Sequence, residues 1–341
     1  MIVVRPVQEN DLGALFDLAK GVDSGMTTFK ADRDGLARRI ETACASFAEQ
    51  IAPTQRDYVF VLEDLAAGRL AGVCAIKAAV GLDEPFYNYR IGTLVHSSRE
   101  LNVFTRMDTL YLSNDLTGCA ELCSLFLHPE YRQGNNGKLL SKSRFLFMAQ
   151  FARLFPERLI AELRGFQRPD GTSPFWESLG RHFFKMDFAR ADDLTAMGKK
   201  SFIAELMPRH PLYVAYLTPE AQEVIGKVHV DTAPAQRLLE QEGMHYEGYI
   251  DIFDSGPVLQ ARVSELRALR ESRLVSADAG SGEREPEALL LANTRLSGFR
   301  ALVTPGRMAH GRLALAGDLT EALGIKTGDS LRAMRLLPRR A

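Results

Sequence analysis

The sequence has almost no charge bias: 42 lysines and arginines stand against 43 aspartates and glutamates, a formal net charge of −1. No global field exists to recruit nucleic acid or an anionic lipid surface, so neither is expected as a partner. Cysteine is scarce. Cys44, Cys74, Cys119 and Cys123 show no Cys-x-x-Cys spacing and no clustered histidine pair, so each is read as a small apolar filler and no metal site is expected. The single tryptophan, Trp176, is read as core filling. No apolar run approaches the ~18 residues needed to span a bilayer. The opening Met-Ile-Val-Val-Arg-Pro lacks a charged leader before an apolar segment, so a cytoplasmic location is the expectation.

What is present is a 341-residue chain with 46% hydrophobic residues, enough for one large domain or two smaller ones. Its organising stretch runs from Glu121 to Gln150. The apolar run Leu122 to Leu127, closed by His128-Pro129, predicts a strand. Gly134 and Gly137 then break the pattern and a helical period begins. Amides at a helix start carry partial positive charge and have no intrahelical acceptor, which suits a pyrophosphate. Lys138, Lys142 and Arg144 are expected to add full charges there.

Around this stretch, Ile2–Val4 predicts a strand and Asp11 caps a helix through Leu12, Leu15, Phe16 and Leu18. A helix follows over Asp32 to Ile51, then strands over Tyr58–Asp64 and Leu70–Val80 joined as a hairpin. Gly81 to Asp115 reads as a substrate-covering insertion, an oligomer contact, or extra strands that widen the sheet. Further strands are expected at Leu159–Leu163, Phe202–Met207 and Tyr249–Phe253. Ser173 and Pro174 open a short helix that Gly180 ends, and helices are expected over Glu220–Ile225 and Thr232–Glu242. Residues 276–286, rich in Ala, Gly, Ser and Glu, read as a linker between a domain of residues 1–275 and a small β-rich module, 287–341.

Leu-His-Pro-Glu-Tyr-Arg before a glycine-rich turn resembles the acyl-CoA loop of the GCN5-related N-acetyltransferase superfamily, usually Arg/Gln-x-x-Gly-x-Gly/Ala. Counting from Arg132, Asn135 holds the first glycine position and Gly137 the second; Asn tolerates positive φ, and Gly134 shifts the turn by one residue. The resemblance implies an α+β fold, a mixed and mostly antiparallel sheet flanked by helices.

Longer strings are similar to the arginine N-succinyltransferase family. They include Tyr-Val-Phe-Val-Leu-Glu-Asp from Tyr58, Tyr-Asn-Tyr-Arg from Tyr87, Glu-Leu-Cys-Ser-Leu-Phe-Leu from Glu121 and Tyr-Ile-Asp-Ile-Phe-Asp-Ser-Gly-Pro from Tyr249. That resemblance implies succinyl transfer from succinyl-CoA, a cosubstrate and not a tightly bound cofactor, to the α-amino group of L-arginine in arginine catabolism. It puts the proton-donating histidine at His229 and a succinyl-CoA contact at Leu125, and it implies a homo-oligomer or a paired α/β complex.

Thioester aminolysis needs a neutral amine, a donor for the oxyanion and a proton for the leaving thiolate. Histidine exchanges protons near neutral pH; His128, His182 and His210 are weaker rivals to His229. A main-chain N–H near Leu125 or Phe126 can stabilise the oxyanion, a contribution of ~3 kcal/mol when fixed beforehand. Leu127, Arg132, Gly134, Asn135, Gly137 and Lys138 complete the expected coenzyme contacts. A guanidinium favours carboxylates, so Glu121, Asp251 and Asp254 are candidates to bind it, and Arg90 is a candidate for the succinyl carboxylate. Two alternatives stand beside this reading: another acyl-CoA-dependent amine N-acyltransferase, and a non-catalytic chain of a paired succinyltransferase complex.

Overall fold

The run Tyr58-Val-Phe-Val-Leu62 has no polar face, so a strand made from it must be covered on both sides. That is how the chain uses it in the computed structural model, which describes residues 1–22, 28–196, 201–208, 210–280 and 287–338. The first half comprises β1 (Ile2–Pro6), α1 (Leu12–Ala19), α2 (Arg33–Phe47), β2 (Asp57–Asp64), β3 (Arg69–Lys77), β4 (Asn88–Ser98), β5 (Val103–Ser113), β6 (Ala120–Leu127), α3 (Asn136–Gln150) and β7 (Arg158–Glu162). Val59 and Val61 of β2 point to the cluster made by α1 and α2, with Leu15, Leu18, Leu36 and Ile40. Tyr58, Phe60 and Leu62 point the other way, onto Phe145, Leu146 and Phe147 of α3.

The chain continues through α4 (Arg181–Phe184), α5 (Phe188–Ala196), α6 (Ser201–Leu206), β8 (Leu212–Tyr213), α7 (Pro219–Val224), α8 (Ala233–Gln241), β9 (His245–Asp251), β10 (Pro257–Arg262) and α9 (Arg267–Glu271). It closes with β11 (Arg273–Ala279), β12 (Ala288–Asn293), β13 (Ala301–Pro305), β14 (Arg312–Leu315), α10 (Gly317–Leu323) and β15 (Ser330–Arg335). Among the described residues the strands form one sheet in the order β14-β11-β15-β12-β13-β1-β2-β3-β6-β7-β10-β9-β4-β5-β8. Pairing is antiparallel except for β6 with β7 and β11 with β14. This is the expected α+β class: a mixed, mostly antiparallel sheet with helices on its faces. No helix among the described residues is long and apolar enough to cross a membrane.

The C-terminal strands join the same sheet through β13 and β1, where Val4 faces Ala301. Phe299 enters the central core, with its ring 5.1 Å from Phe147 and 5.6 Å from Phe60. Beneath this contact lies a buried ion cluster. Lys142 Nζ lies 2.5 Å from Glu242 Oε1, and Arg267 Nη2 reaches the same oxygen at 2.7 Å. Arg267 also donates to the carbonyls of Arg335 and Leu336, so the cluster ties α3, the end of α8 and the last strand together.

Several local expectations change. Phe202–Met207 lies in and just beyond helix α6, not in a strand; Ile203 and Met207, one helical turn apart, are both buried in an apolar cluster. The helix opened by Ser173 runs past Gly180 into α4 through a wide turn at Trp176–Gly180. A Cβ on Gly180 would come within 2.2 Å of the Trp176 ring, so this glycine makes room for the indole and does not end the helix. Trp176 itself is fully buried. Asp11 does not cap α1 with its side chain; it holds Arg5 at 2.8 Å and the Gln8 N–H. Gly81–Asp115 supplies the β4–β5 hairpin, which widens the sheet beyond β9. The stretch read as a linker begins as strand β11, because Val275 and Ala277 are buried beside the last strands; residues 281–286 lie outside the described residues.

Removing one partner from the buried cluster leaves two desolvated cations facing each other. Glu242→Ala is therefore expected to destabilise the protein by about 3–5 kcal/mol in urea unfolding. A change within experimental error would show that the cluster does not hold the C-terminal strands to the core.

Candidate active site

Strands β6 and β7 are joined as a parallel pair only at Ala120–Leu159 and Glu121–Ile160. Beyond that the ladder stops, although both strands continue. The cause is local. Opposite Cys74 of β3, strand β6 spends two residues, Ser124 and Leu125, where the register requires one. Ser124 has φ of 55°, a left-handed conformation that costs a non-glycine residue and must be held by its surroundings. Thr28 and Arg39 hold it: Ser124 Oγ donates to Thr28 Oγ1 at 3.0 Å, and Arg39 Nη1 donates to Ser124 Oγ at 2.8 Å. Arg39 is itself fixed by Asp57 at 2.7 Å.

The separated strands open into a cavity of about 1450 Å³, lined by Glu121 through Leu127 on one side and Ala161 through Arg164 on the other. At one end lies the turn before α3. Arg132, Gln133, Gly134, Gly137 and Lys138 line the cavity there. The positive φ of this turn falls on Gly134, at 57°, while Asn135 has φ of −106°; the glycine one residue early takes the left-handed position expected of Asn135. Asn135 instead accepts a hydrogen bond from Lys138 Nζ at 3.0 Å. Arg132 Nε donates to the Leu127 carbonyl at 3.0 Å, which fastens the loop to the end of β6. The first turn of α3 thus lies at the cavity with Arg132 and Lys138 beside it. Lys142 is not at this site, since it is buried in the cluster with Glu242.

The cavity also holds a cluster of acidic residues. Glu121, Glu162, Asp251 and Asp254 all line the cavity. Burial pushes the Glu162 carboxyl well above the usual range, and repulsion from Asp251, Glu121 and Asp254 adds to this against one hydrogen bond from Asn88 Nδ2 at 2.8 Å. Burial likewise raises Asp254, with Asp251 adding to it, although Asp254 accepts the N–H groups of Gly165 and Gly256. Asp251 is raised by burial despite accepting from Phe253 and Asp254. Lys77 stands opposite Glu121 in the β3–β6 ladder. Burial pulls its ammonium pKa down, but Glu121, Cys123 and Asp57 outweigh that and the net shift is upward.

His229 sits at the cavity rim, where Val230, Asp231 and Thr232 form part of the wall. Its backbone N–H donates to Arg164 O at 2.9 Å, and its Nδ1 accepts the Asp231 N–H at 3.2 Å. With Nδ1 accepting, the neutral ring carries its proton on Nε2. Arg90 is not in the cavity wall. It is exposed on β4, 3.7 Å from Asp115 and over the Tyr249 ring. Of the residues expected from the sequence, Leu125, Phe126, Leu127, Arg132, Gly134, Gly137, Lys138, Glu121, Asp251 and Asp254 meet in one cavity; His229 borders it, Asn135 supports it from behind, and Arg90 lies apart.

Sequence reasoning missed Glu162, Lys77 and Arg164, which also line the cavity; Arg144, expected to add charge near the glycine turn, lines it too. Glu162 ends a strand that reads as ordinary sheet, and only the parting of β6 from β7 turns it toward an opening. Its raised pKa makes a test. A carboxyl whose folded pKa exceeds its unfolded value loses stabilisation as pH rises through the folded value. Glu162→Gln is therefore expected to raise the melting temperature at pH 8, with the gain shrinking as pH falls toward the ordinary value of 4.5. Equal melting temperatures at pH 8 would remove the case for a destabilising carboxylate there.

The chain matches the arginine N-succinyltransferase beta subunit over residues 2–268 and the C-terminal domain of that subunit over residues 271–335. It is 49% identical over 337 residues to the arginine N-succinyltransferase of Escherichia coli strain 55989, covering 98% of each chain. The protein of the same name from Escherichia fergusonii matches with 49% identity over 337 residues and 98% of each chain. The solved structure of arginine/ornithine succinyltransferase subunit AI from Pseudomonas aeruginosa superimposes with a TM-score of 0.91 at 36% identity, covering 99% of both chains. With the split sheet, the glycine turn and both matches spanning nearly the whole length, the chain belongs to the arginine N-succinyltransferase family.

Proposed function

We propose that this acyltransferase moves a succinyl group from succinyl-CoA to the α-amino group of L-arginine. The observation that carries the reading is that one cavity joins a helix N-terminus flanked by cations to a wall of four carboxylates. The coenzyme's diphosphate lies on the amides around Gly134–Lys138, with Arg132 and Lys138 supplying charge. Its thioester then runs beside Leu125, Phe126 and Leu127, where the ladder to β7 has ended. A permanently charged guanidinium is matched by Glu121, Glu162, Asp251 and Asp254, whose mutual repulsion it relieves.

In the reaction the neutral amine nitrogen attacks the thioester carbonyl, an N–C bond forms and the C–S bond breaks. The amine gives up its surplus proton to solvent, the departing thiolate takes one from Nε2 of the protonated His229 ring, and the ring regains its proton from solvent, so that one proton passes in balance from amine to thiol. The Asp231 carboxylate, 3.6 Å from His229 Nδ1, supports this role, because a nearby negative charge favours the protonated ring. The protein acts in the cytoplasm, as a homo-oligomer or with a paired chain. The β4–β5 hairpin supports an assembly, since its tip leaves Leu101 and Phe104 exposed at 75% and 73%.

The deciding measurement is free-thiol release from succinyl-CoA with and without L-arginine. The wild type is expected to release thiol only when arginine is present, and His229→Ala to lose about 10²–10⁴-fold in kcat. Unchanged turnover in His229→Ala would remove that side chain from the mechanism. Preference for acetyl-CoA would favour a different acyltransferase, and turnover appearing only with a second chain would identify a silent subunit. Glu162→Gln is expected to raise the KM for arginine by about 10-fold or more, consistent with loss of a charge-assisted hydrogen bond.

A further inference from the structure

Succinyl differs from neutral acyl groups by a terminal carboxylate, and burying that charge beside β6 requires a cation already in place. Arg90, the candidate from sequence, lies outside the cavity. Most cations in the wall are committed. Arg56 pairs with Glu49 at 3.3 Å, Lys77 faces Glu121, and Arg132 and Lys138 are fastened at the phosphate turn.

Two buried or half-buried cations are different: Arg164, whose Nη2 reaches the neutral Gln167 Oε1 at 2.6 Å, and Arg144, the more deeply buried of the two. Arg144 lines the cavity from the middle of α3 and is 2% exposed. Its hydrogen bonds go to Ser141 O at 3.2 Å, Ser141 Oγ at 3.3 Å and Cys123 O at 3.4 Å. All three acceptors are neutral, and no carboxylate pairs with it among the described residues. Burial pulls its pKa down, and the only groups acting against this are the thiols of Cys74 and Cys123. Such an uncompensated buried charge opposes folding, while the buried cations of the Lys142–Glu242–Arg267 cluster share a carboxylate. Its position adds the second argument. The carbonyl that Arg144 holds belongs to Cys123, the residue immediately before the bulge at Ser124–Leu125 where the strands part.

We infer that Arg144 receives the terminal carboxylate of the acyl group and thereby sets the preference for succinyl-CoA over neutral acyl-CoA donors. The inference rests on the cavity being the acyl-CoA site proposed above. A carboxylate there would complete the guanidinium's coordination with a charge-assisted, bidentate pair, and a neutral donor would leave the cation unpaired. Discrimination of this kind is large, because the rejected substrate strands a buried polar group.

The test compares kcat/KM for succinyl-CoA and butyryl-CoA, with L-arginine as acceptor, in the wild type, Arg144→Gln and Arg144→Met. The succinyl-to-butyryl ratio is expected to fall by about 100-fold or more in both variants. Gln retains hydrogen-bond donors for Ser141 and Cys123 without the charge, so recovery of the wild-type ratio in Arg144→Gln would assign Arg144 a structural role and overturn the inference. A ratio that falls instead in Arg164→Met would overturn it in favour of that neighbour. Binding supplies a readout independent of turnover: succinyl-CoA is expected to raise the wild-type melting temperature more than butyryl-CoA does, and Arg144→Gln to abolish the difference. Equal stabilisation of the wild type by the two donors overturns the inference even if neither variant folds. If the wild type releases no thiol from succinyl-CoA with arginine but the Arg144-dependent binding difference persists, the proposed reaction fails and the carboxylate site stands.

Discussion

Ser124 holds a backbone conformation that the residue would not choose alone, and the separation of two strands follows from it. Once β6 bulges at this point, its outer edge can no longer follow β7, and the parallel ladder ends at Glu121–Ile160. A sheet that stayed closed would bury the apolar faces equally well and leave no room for a substrate. The strain is met by side chains from the first helical layer: Arg39, anchored on Asp57, reaches across to Ser124, and Thr28 completes the contact. The cavity therefore depends on α2 as much as on the strands that line it.

The charges inside the molecule fall into two groups, and the difference separates architecture from chemistry. Lys142, Glu242 and Arg267 satisfy one another far from solvent and join the closing strands to α3. Glu162, Asp251, Asp254 and the guanidinium of Arg144 make no ion pair among the described residues. Among the described residues Glu162 has only Asn88 as a hydrogen-bond donor, and Asp254 relies on backbone amides. Groups in this second set oppose folding, and a polar substrate that supplied the missing partners would recover that free energy on binding.

The expected strand, glycine turn and helix from Glu121 to Gln150 stand where their residue types put them, because Pro129, Gly134 and a buried apolar run act over a few residues of backbone. The hairpin of β2 and β3 was legible for the same reason. Phe202–Met207 was misread because a short apolar run fits a strand or a buried helix equally well, and burial of Ile203 and Met207 on one face decided it. Gly180 was misread because its neighbour in space, the Trp176 ring, leaves no mark on the local pattern.

Local residue chemistry was enough to mark the glycine turn, the strand before it and a pool of carboxylates. Which of those groups face one another was decided only by the tertiary structure. Glu162 and Asp254 are far apart in the chain and come together because β7 and β10 pair while β6 swings away. Lys142 and Arg144 are two positions apart on one helix, yet one is neutralised in the core and the other reaches the cavity, since successive helical residues point in different directions. Charge type is a property of the residue. Charge environment is a property of the fold, because desolvation and pairing depend on what the rest of the chain brings near.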